Sequence, residues 1–304
     1  MDKPTLLLQY GHGWAATSPL AYTLQRLSKY AHSGYGKRSG YLTLSDPPTV
    51  YTRNIVKLLI TNKLENWRSN YGHMMNLPID LDPIRDFPKS HLLDLSKVPF
   101  TIDKYITFYK ELYQHVSKKG YKAVADYDVS LDKILLYADE LKEHFNLKCI
   151  AIVRDPVRRC FAKSLAKNTY PDIKQYDRNY VEYHHAIKAV VPDTHLVVME
   201  ELWEDDGTEK ELLSTFLGHR IDNLWTNLYS PDIGHHLTWD LKNNYCPVPC
   251  QILGQSDYQL TPELYYHYKS QLQQTYDDWI DTFGSLPLHW GKPIDYSANL
   301  TAIL

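Results

Sequence analysis

Two short stretches of the chain carry residue types that can hold anions. The first, Gly11-His12-Gly13-Trp14-Ala15-Ala16-Thr17-Ser18, lies between an apolar run and a helical pattern. Small residues at such a junction let backbone N–H groups approach an anion at a helix N-terminus. A GxxxxGK[ST] loop would need Gly at Ala16 and Lys at Thr17. Without that lysine nothing reaches the β- and γ-phosphates of a nucleoside triphosphate, which argues against an ordinary ATPase or kinase. A small-residue turn after a strand also serves plain packing, so the loop alone does not decide the matter. The second stretch, Arg154-Asp155-Pro156-Val157-Arg158-Arg159, follows another apolar run. An arginine there can grip an anion in bidentate fashion. The competing expectation for Arg154 is a structural salt bridge, and Arg158 and Arg159 read as solvated or paired on a helix surface.

The elements that must position these residues follow from periodicity. Thr5 to Gln9 reads as a buried strand, and Leu20, Thr23, Leu24 and Leu27 mark one face of the helix after the loop. From Ser33 to Pro99 Gly, Pro, Asp and Lys dominate, which suits insertions and short helices, with Ile55 to Ile60 a notable apolar patch. A helix is expected from Asp103 to Lys118, stopped by Gly120, then a strand from Tyr121 to Ala125. Leu131, Ile134, Leu135, Ala138, Leu141 and Phe145 form the next helical stripe, followed by a strand from Lys148 to Val153. Asp155 can cap and Pro156 can start the helix after it. A helix near Arg178 to Val191 precedes a strand from His195 to Met199. Strands alternating with helices favour an α/β fold, a parallel sheet flanked by helices on both faces, with ligands at the carboxyl ends of the strands. Tyr265, Tyr266, Tyr268, Tyr276 and Trp279 read as a carboxyl-terminal helix packed on that sheet.

Composition narrows the class. The chain has 304 residues, 43% hydrophobic and 23% charged, with no apolar run near the roughly 18 residues of a membrane span. Its 33 basic and 36 acidic residues leave a net charge of -3, which removes any whole-chain attraction to nucleic acid or anionic membrane. The amino terminus is too short in apolar residues for a signal peptide, so a cytoplasmic protein is expected. Of four cysteines, Cys149 and Cys160 sit in strand and helix patterns as small core residues. Cys246 and Cys250, close to His235 and His236, lack the paired clusters of a zinc site and read as a Pro-stiffened loop. The acidic run Glu200, Glu201, Glu204, Asp205, Asp206 reads as a solvated turn.

Taken in order, these motifs resemble the sulfotransferases that use 3′-phosphoadenosine 5′-phosphosulfate. In that family the first strand leads into a loop of the type Gly-x-x-Lys-Ser-Gly-Thr-Thr for the 5′-phosphosulfate. A later strand ends in Leu-Arg-(Asp/Asn)-Pro-Val-x-Arg, which holds the 3′-phosphate. Met199-Glu200-Glu201-Leu202 is similar to the family's Tyr-Glu-Asp-Leu, and Phe216-Leu217-Gly218 to its Phe-Leu-Gly. The resemblance implies a single domain over 1–304 with the P-loop NTPase-like sulfotransferase fold and no metal. It implies a co-substrate, 3′-phosphoadenosine 5′-phosphosulfate, held by Gly11, His12, Gly13, Trp14, Ala15, Ala16, Thr17, Ser18, Arg154 and Ala162. The acceptor would be a small molecule or glycan carrying a hydroxyl.

The departures are specific. The family's loop lysine falls on Trp14, and the serine eight residues after the arginine falls on Ala162, with Lys163 and Ser164 as stand-ins. A late basic loop of the family corresponds to Leu253 to Gln259, which holds no basic residue. His12, Lys37 and Arg38 are candidate replacements for the missing cation, His12 first because it shares the loop. For the base, Pro88-Lys89-Ser90-His91-Leu92 resembles the Lys-Thr-His-Leu segment of cytosolic sulfotransferases, which makes His91 the catalytic candidate and Asp94 its fallback. Asp126, at the end of a strand, is also placed for substrate or base duty, or for a cap. A degenerate relative that keeps the scaffold and binds without catalysis is the alternative.

Overall fold

A computed structural model of the chain describes residues 3–12, 15, 17–34, 82–84, 86–87, 101–127, 129, 131–166, 172–204, 207–224 and 260–293. Within them five strands form one sheet: β1 (Thr5–Gly11), β2 (Ala31–His32), β3 (Ala123–Asp126), β4 (Asn146–Val153) and β5 (Thr194–Val198). Their spatial order is β2-β3-β1-β4-β5, and every pairing is parallel. Parallel strands need covered faces, because each connection must cross over the sheet.

The alternation along β1 accounts for the cover. Leu6 and Leu8 face helices α2 (Ile102–Val116), α3 (Leu131–His144) and α5 (Tyr180–Val190). Leu7 faces the other side, under α1 (Thr17–Tyr22), α6 (Met199–Glu204) and α7 (Thr208–Leu217). A strand buried on both faces must be apolar at consecutive positions, which explains the uninterrupted Leu6-Leu7-Leu8. The third cluster lies at the carboxyl ends of β4 and β5. There Val153 and Val198 meet α4 (Pro156–Ala166), α8 (Pro262–Gln271), α9 (Gln273–Phe283) and Trp290.

Local chemistry fixes the boundaries. Thr101 caps α2 by accepting from the Lys104 amide, and the chain leaves that helix through Gly120 at φ 96, a left-handed conformation that glycine adopts without a side-chain penalty. Among the described residues the expected strands and helices are present with shifts of a few residues; most of the segment from Ser33 to Pro99, Ile55 to Ile60 included, lies outside them. One strand was not expected: β2 is two residues long and has no apolar run to announce it. The aromatic helix becomes two, α8 and α9, which bury Tyr265, Tyr268, Tyr276 and Trp279, whereas Tyr266 points outward and is 55% exposed.

Cys149 and Cys160 are buried and free. Burial pushes the Cys149 thiol up to about 12 and the Cys160 thiol up to about 11, which makes both inert packing groups. His235, His236, Cys246 and Cys250 lie outside the described residues. Among the described residues no group of side chains could hold a metal ion, and no helix is long and apolar enough to cross a membrane.

Candidate functional site at the carboxyl end of the sheet

β1 and β4 are hydrogen-bonded neighbours, with Gly11 in register with Ile152. The loop that begins at Gly11 and the turn that begins at Arg154 therefore leave the same end of the sheet from adjacent strands. Gly11 is required by this closeness. A Cβ there would lie 2.5 Å from Thr17 Cγ2 and 2.6 Å from Ile152 Cγ2, with the Ile152 carbonyl at 3.1 Å. Gly11→Ala is expected to cost about 1–3 kcal/mol through overpacking between β1, β4 and α1. Equilibrium urea unfolding measures it, and an unchanged midpoint would mean that the loop does not pack as described.

The loop is tied to its strand at both ends. The Ala15 amide donates to the His12 carbonyl at 3.0 Å, and Gln9, buried in β1, donates its side-chain amide to the Thr17 carbonyl at 2.6 Å. Ala15 and Thr17 are buried. Gly13, Trp14 and Ala16, the position of the absent lysine among them, lie outside the described residues, as do the side chain of Ser18 and that of Ala162 within α4.

Arg154 and Asp155 follow β4, both at most 1% exposed. Asp155 Oδ1 accepts from the Arg158 amide at 3.0 Å, which caps α4 as expected. Its other oxygen accepts from the Tyr265 hydroxyl at 2.8 Å, the Tyr276 hydroxyl at 3.1 Å and the Gly291 amide at 3.2 Å. Burial, then the charge of Asp155, raises both phenols and keeps them as donors. Glu200, in the first turn of α6, accepts from the Asp155 amide at 3.0 Å with one oxygen and from the Trp290 indole at 3.0 Å with the other. Arg158 Nη1 lies 3.8 Å from Glu200, and Nη2 donates to the Lys292 carbonyl at 3.1 Å. These contacts pin the backbone on the carboxyl side of Arg154 to the last helices.

This network corrects two expectations. Glu200 is not part of a solvated turn; it is 1% exposed and fully engaged. Arg158 and Arg159 are not surface residues; they are 5% and 0% exposed. Arg159 Nε donates to the Tyr180 hydroxyl at 2.8 Å, and Nη2 reaches the Tyr176 carbonyl and Cys160 Sγ.

His12 also departs from expectation. Its ring stacks on Tyr180 at 5.7 Å and lies 4.9 Å from Tyr183 and 5.4 Å from Tyr10. Burial, and then the charges of Arg159, Arg178 and Lys163, push its pKa down to about 2. At neutral pH the imidazole is uncharged, so His12 does not replace the lysine as a cation.

Of the remaining candidates, Ser164 is fully buried and donates to the Phe161 carbonyl at 2.8 Å, inside its own helix. Asp126 is fully buried beside β1 and accepts from the Tyr105 hydroxyl at 3.1 Å, which braces α2 against the sheet. His91, Asp94, Lys37, Arg38 and the segment 253–259 lie outside the described residues. Tyr180 and Tyr183, which the sequence did not single out, pack on His12, and Arg159, read there as a surface residue, bonds Tyr180.

No known family profile matches the chain, and no curated protein matches it. Among solved structures it is similar to the sulfotransferase domain of the olefin synthase from Synechococcus PCC 7002. The identity is 16%, over 94% of this chain and 98% of that one, with a TM-score of 0.48. It is also similar to the sulfotransferase domain from the curacin biosynthetic pathway, at 12% identity over 94% of this chain and 99% of that one, with a TM-score of 0.47.

Proposed function

We propose that the chain binds 3′-phosphoadenosine 5′-phosphosulfate at the carboxyl ends of β1 and β4 and transfers its sulfuryl group to an acceptor hydroxyl. The observation that supports this most is the pairing of β1 with β4, by which the chain leaves β1 at Gly11 and β4 toward Arg154 from adjacent strand ends. The loop's backbone amides suit the 5′-phosphosulfate, and the Arg154 guanidinium suits the 3′-phosphate. Asp155 and Glu200 are engaged with the C-terminal segment, so they hold the turn and leave the proton chemistry to others.

In the transfer, the acceptor oxygen forms a bond to sulfur as the bond from sulfur to the phosphate oxygen breaks, and adenosine 3′,5′-bisphosphate departs. The acceptor's proton passes to a base, for which His91 is proposed and Asp94 is the alternative. A positioned base contributes about 10²- to 10⁴-fold, so His91→Ala should lower turnover by that order while leaving nucleotide affinity unchanged. An unchanged turnover number would transfer the role to Asp94.

Trp14 stands where the family's cation stands, and this favours a second outcome, nucleotide binding with weak or no turnover. Loss of one oxyanion donor costs on the order of 10²- to 10³-fold. Thermal unfolding separates the possibilities. Adenosine 3′,5′-bisphosphate at about 100 times its dissociation constant adds about 2.7 kcal/mol to the folded state and should raise the melting temperature. No rise at millimolar ligand, or a rise only with ATP and magnesium, would remove the proposal.

A further inference from the structure

We propose that the amino end of the sheet carries a docking surface for an acidic amphipathic segment of a partner protein, formed by Arg26, Lys29, Lys118 and Lys122 around Leu27. Two turns meet there, at the end of the sheet opposite the candidate site. The π-helical turn Thr23–Leu27 runs through Ser28 and Lys29 toward β2, and the chain leaves α2 through Ser117–Lys119 and Gly120 toward β3. The Tyr30 carbonyl accepts from the amides of Lys122 at 2.9 Å and Ala123 at 3.0 Å, and β2 then pairs with β3, which sets the two turns side by side. All four cations are exposed, and among the described residues no carboxylate pairs with any of them. Two carboxylates of this end are engaged: Asp86 holds Lys119 at 3.4 Å, and Asp193, whose charge is felt at Tyr30, holds Lys148 at 3.2 Å.

The backbone supplies a second, independent observation. Lys29 has φ 51, and among the described residues it is the one non-glycine in the left-handed region. Glycine is the usual occupant of that conformation after a helical turn, because a Cβ there is strained. α2 follows the rule with Gly120 at φ 96. Helix carboxyl ends attract cations, which accounts for Lys118. That attraction operates equally from unstrained positions of the last turn, so a lysine kept in the strained one points to a use for its ammonium at the surface. Leu27, 41% exposed, stands between Arg26 and Lys29 and gives the patch an apolar centre with a charged rim. The tyrosines of the two turns, Tyr30 and Tyr121, are buried and offer no ring on which a nucleic-acid base could stack. One leucine is too little apolar surface to enter a bilayer. A segment that presents carboxylates beside one or two apolar side chains matches what remains.

The surface does not rest on the proposed transfer, and its test needs no nucleotide. The full chain is titrated against a fluorescently labelled amphipathic helical peptide of leucine and glutamate, and binding is read by anisotropy. The peptide should bind, and more weakly as sodium chloride is raised. The Lys29→Glu/Lys122→Glu double variant should bind it at least about tenfold more weakly, because reversal sets like charges face to face. Lys29→Gly removes the charge together with the strained Cβ. It should keep or raise the melting temperature while weakening the peptide about two- to fivefold. Lys188→Glu, an exposed position on α5, should leave binding unchanged. No binding by wild type, or equal binding by the double variant, would overturn the surface. A lower melting temperature in Lys29→Gly would show that Lys29 is kept for the fold, and would overturn it as well. Tighter binding to phosphatidylserine vesicles or to duplex DNA than to the peptide, lost in the same double variant, would assign the patch to a membrane or to nucleic acid and remove the protein partner.

Discussion

Asp155→Ala is expected to destabilise the chain by at least about 3–5 kcal/mol, the scale on which removing one partner of a buried polar cluster is felt. Four donors lose their acceptor at once: the amides of Arg158 and Gly291 and the hydroxyls of Tyr265 and Tyr276. Each donor is left buried, and an unsatisfied buried donor costs about 1–3 kcal/mol. The first turn of α4 also loses its cap. Denaturant unfolding by circular dichroism measures the loss. Asp155→Asn refines the test, because it keeps the cap oxygen but can turn an NH₂ group toward three donors. Its cost should fall between wild type and alanine. A loss below about 1 kcal/mol for Asp155→Ala would mean that the carboxyl-terminal helices are not fastened to β4 through this residue.

The second large effect concerns binding. Arg154→Lys keeps the charge but removes the planar fork, and lysine does not reproduce bidentate contact with a phosphate. Adenosine 3′,5′-bisphosphate should bind at least tenfold more weakly to this variant, and truncation to alanine should cost about 2–5 kcal/mol of binding free energy. Because Arg154 is buried, stability must be measured on the same variants, and affinity compared only where folding is retained. An Arg154→Lys protein that binds the bisphosphate like wild type would show that the 3′-phosphate lies elsewhere.

Much of the frame was legible in the residues. Leu6-Leu7-Leu8 announced a strand covered on both faces, and Asp155-Pro156 announced a cap and a helix start, both of which the structure contains. β2 was not legible, because Ala31–His32 owes its place to the edge of β3 and not to its own pattern. The charged residues misled for a physical reason. Nothing near Glu200 in sequence reveals Trp290, its indole partner, so an acidic run looked solvated. Likewise Arg158 and Arg159 stand on a helix whose outer side is covered by segments much later in the chain or across a connection. The neutrality of His12 is the same lesson: burial and the charges of Arg159, Arg178 and Lys163, all remote in sequence, hold its proton off.

A structure of the full chain with adenosine 3′,5′-bisphosphate tests the central claim most directly. The account predicts the 5′-phosphate on the amides of the Gly11–Ser18 loop and the 3′-phosphate within hydrogen-bonding reach of Arg154, spanning the ends of β1 and β4. A ligand bound away from those two strand ends, or a saturating soak that leaves them unaltered, would contradict it.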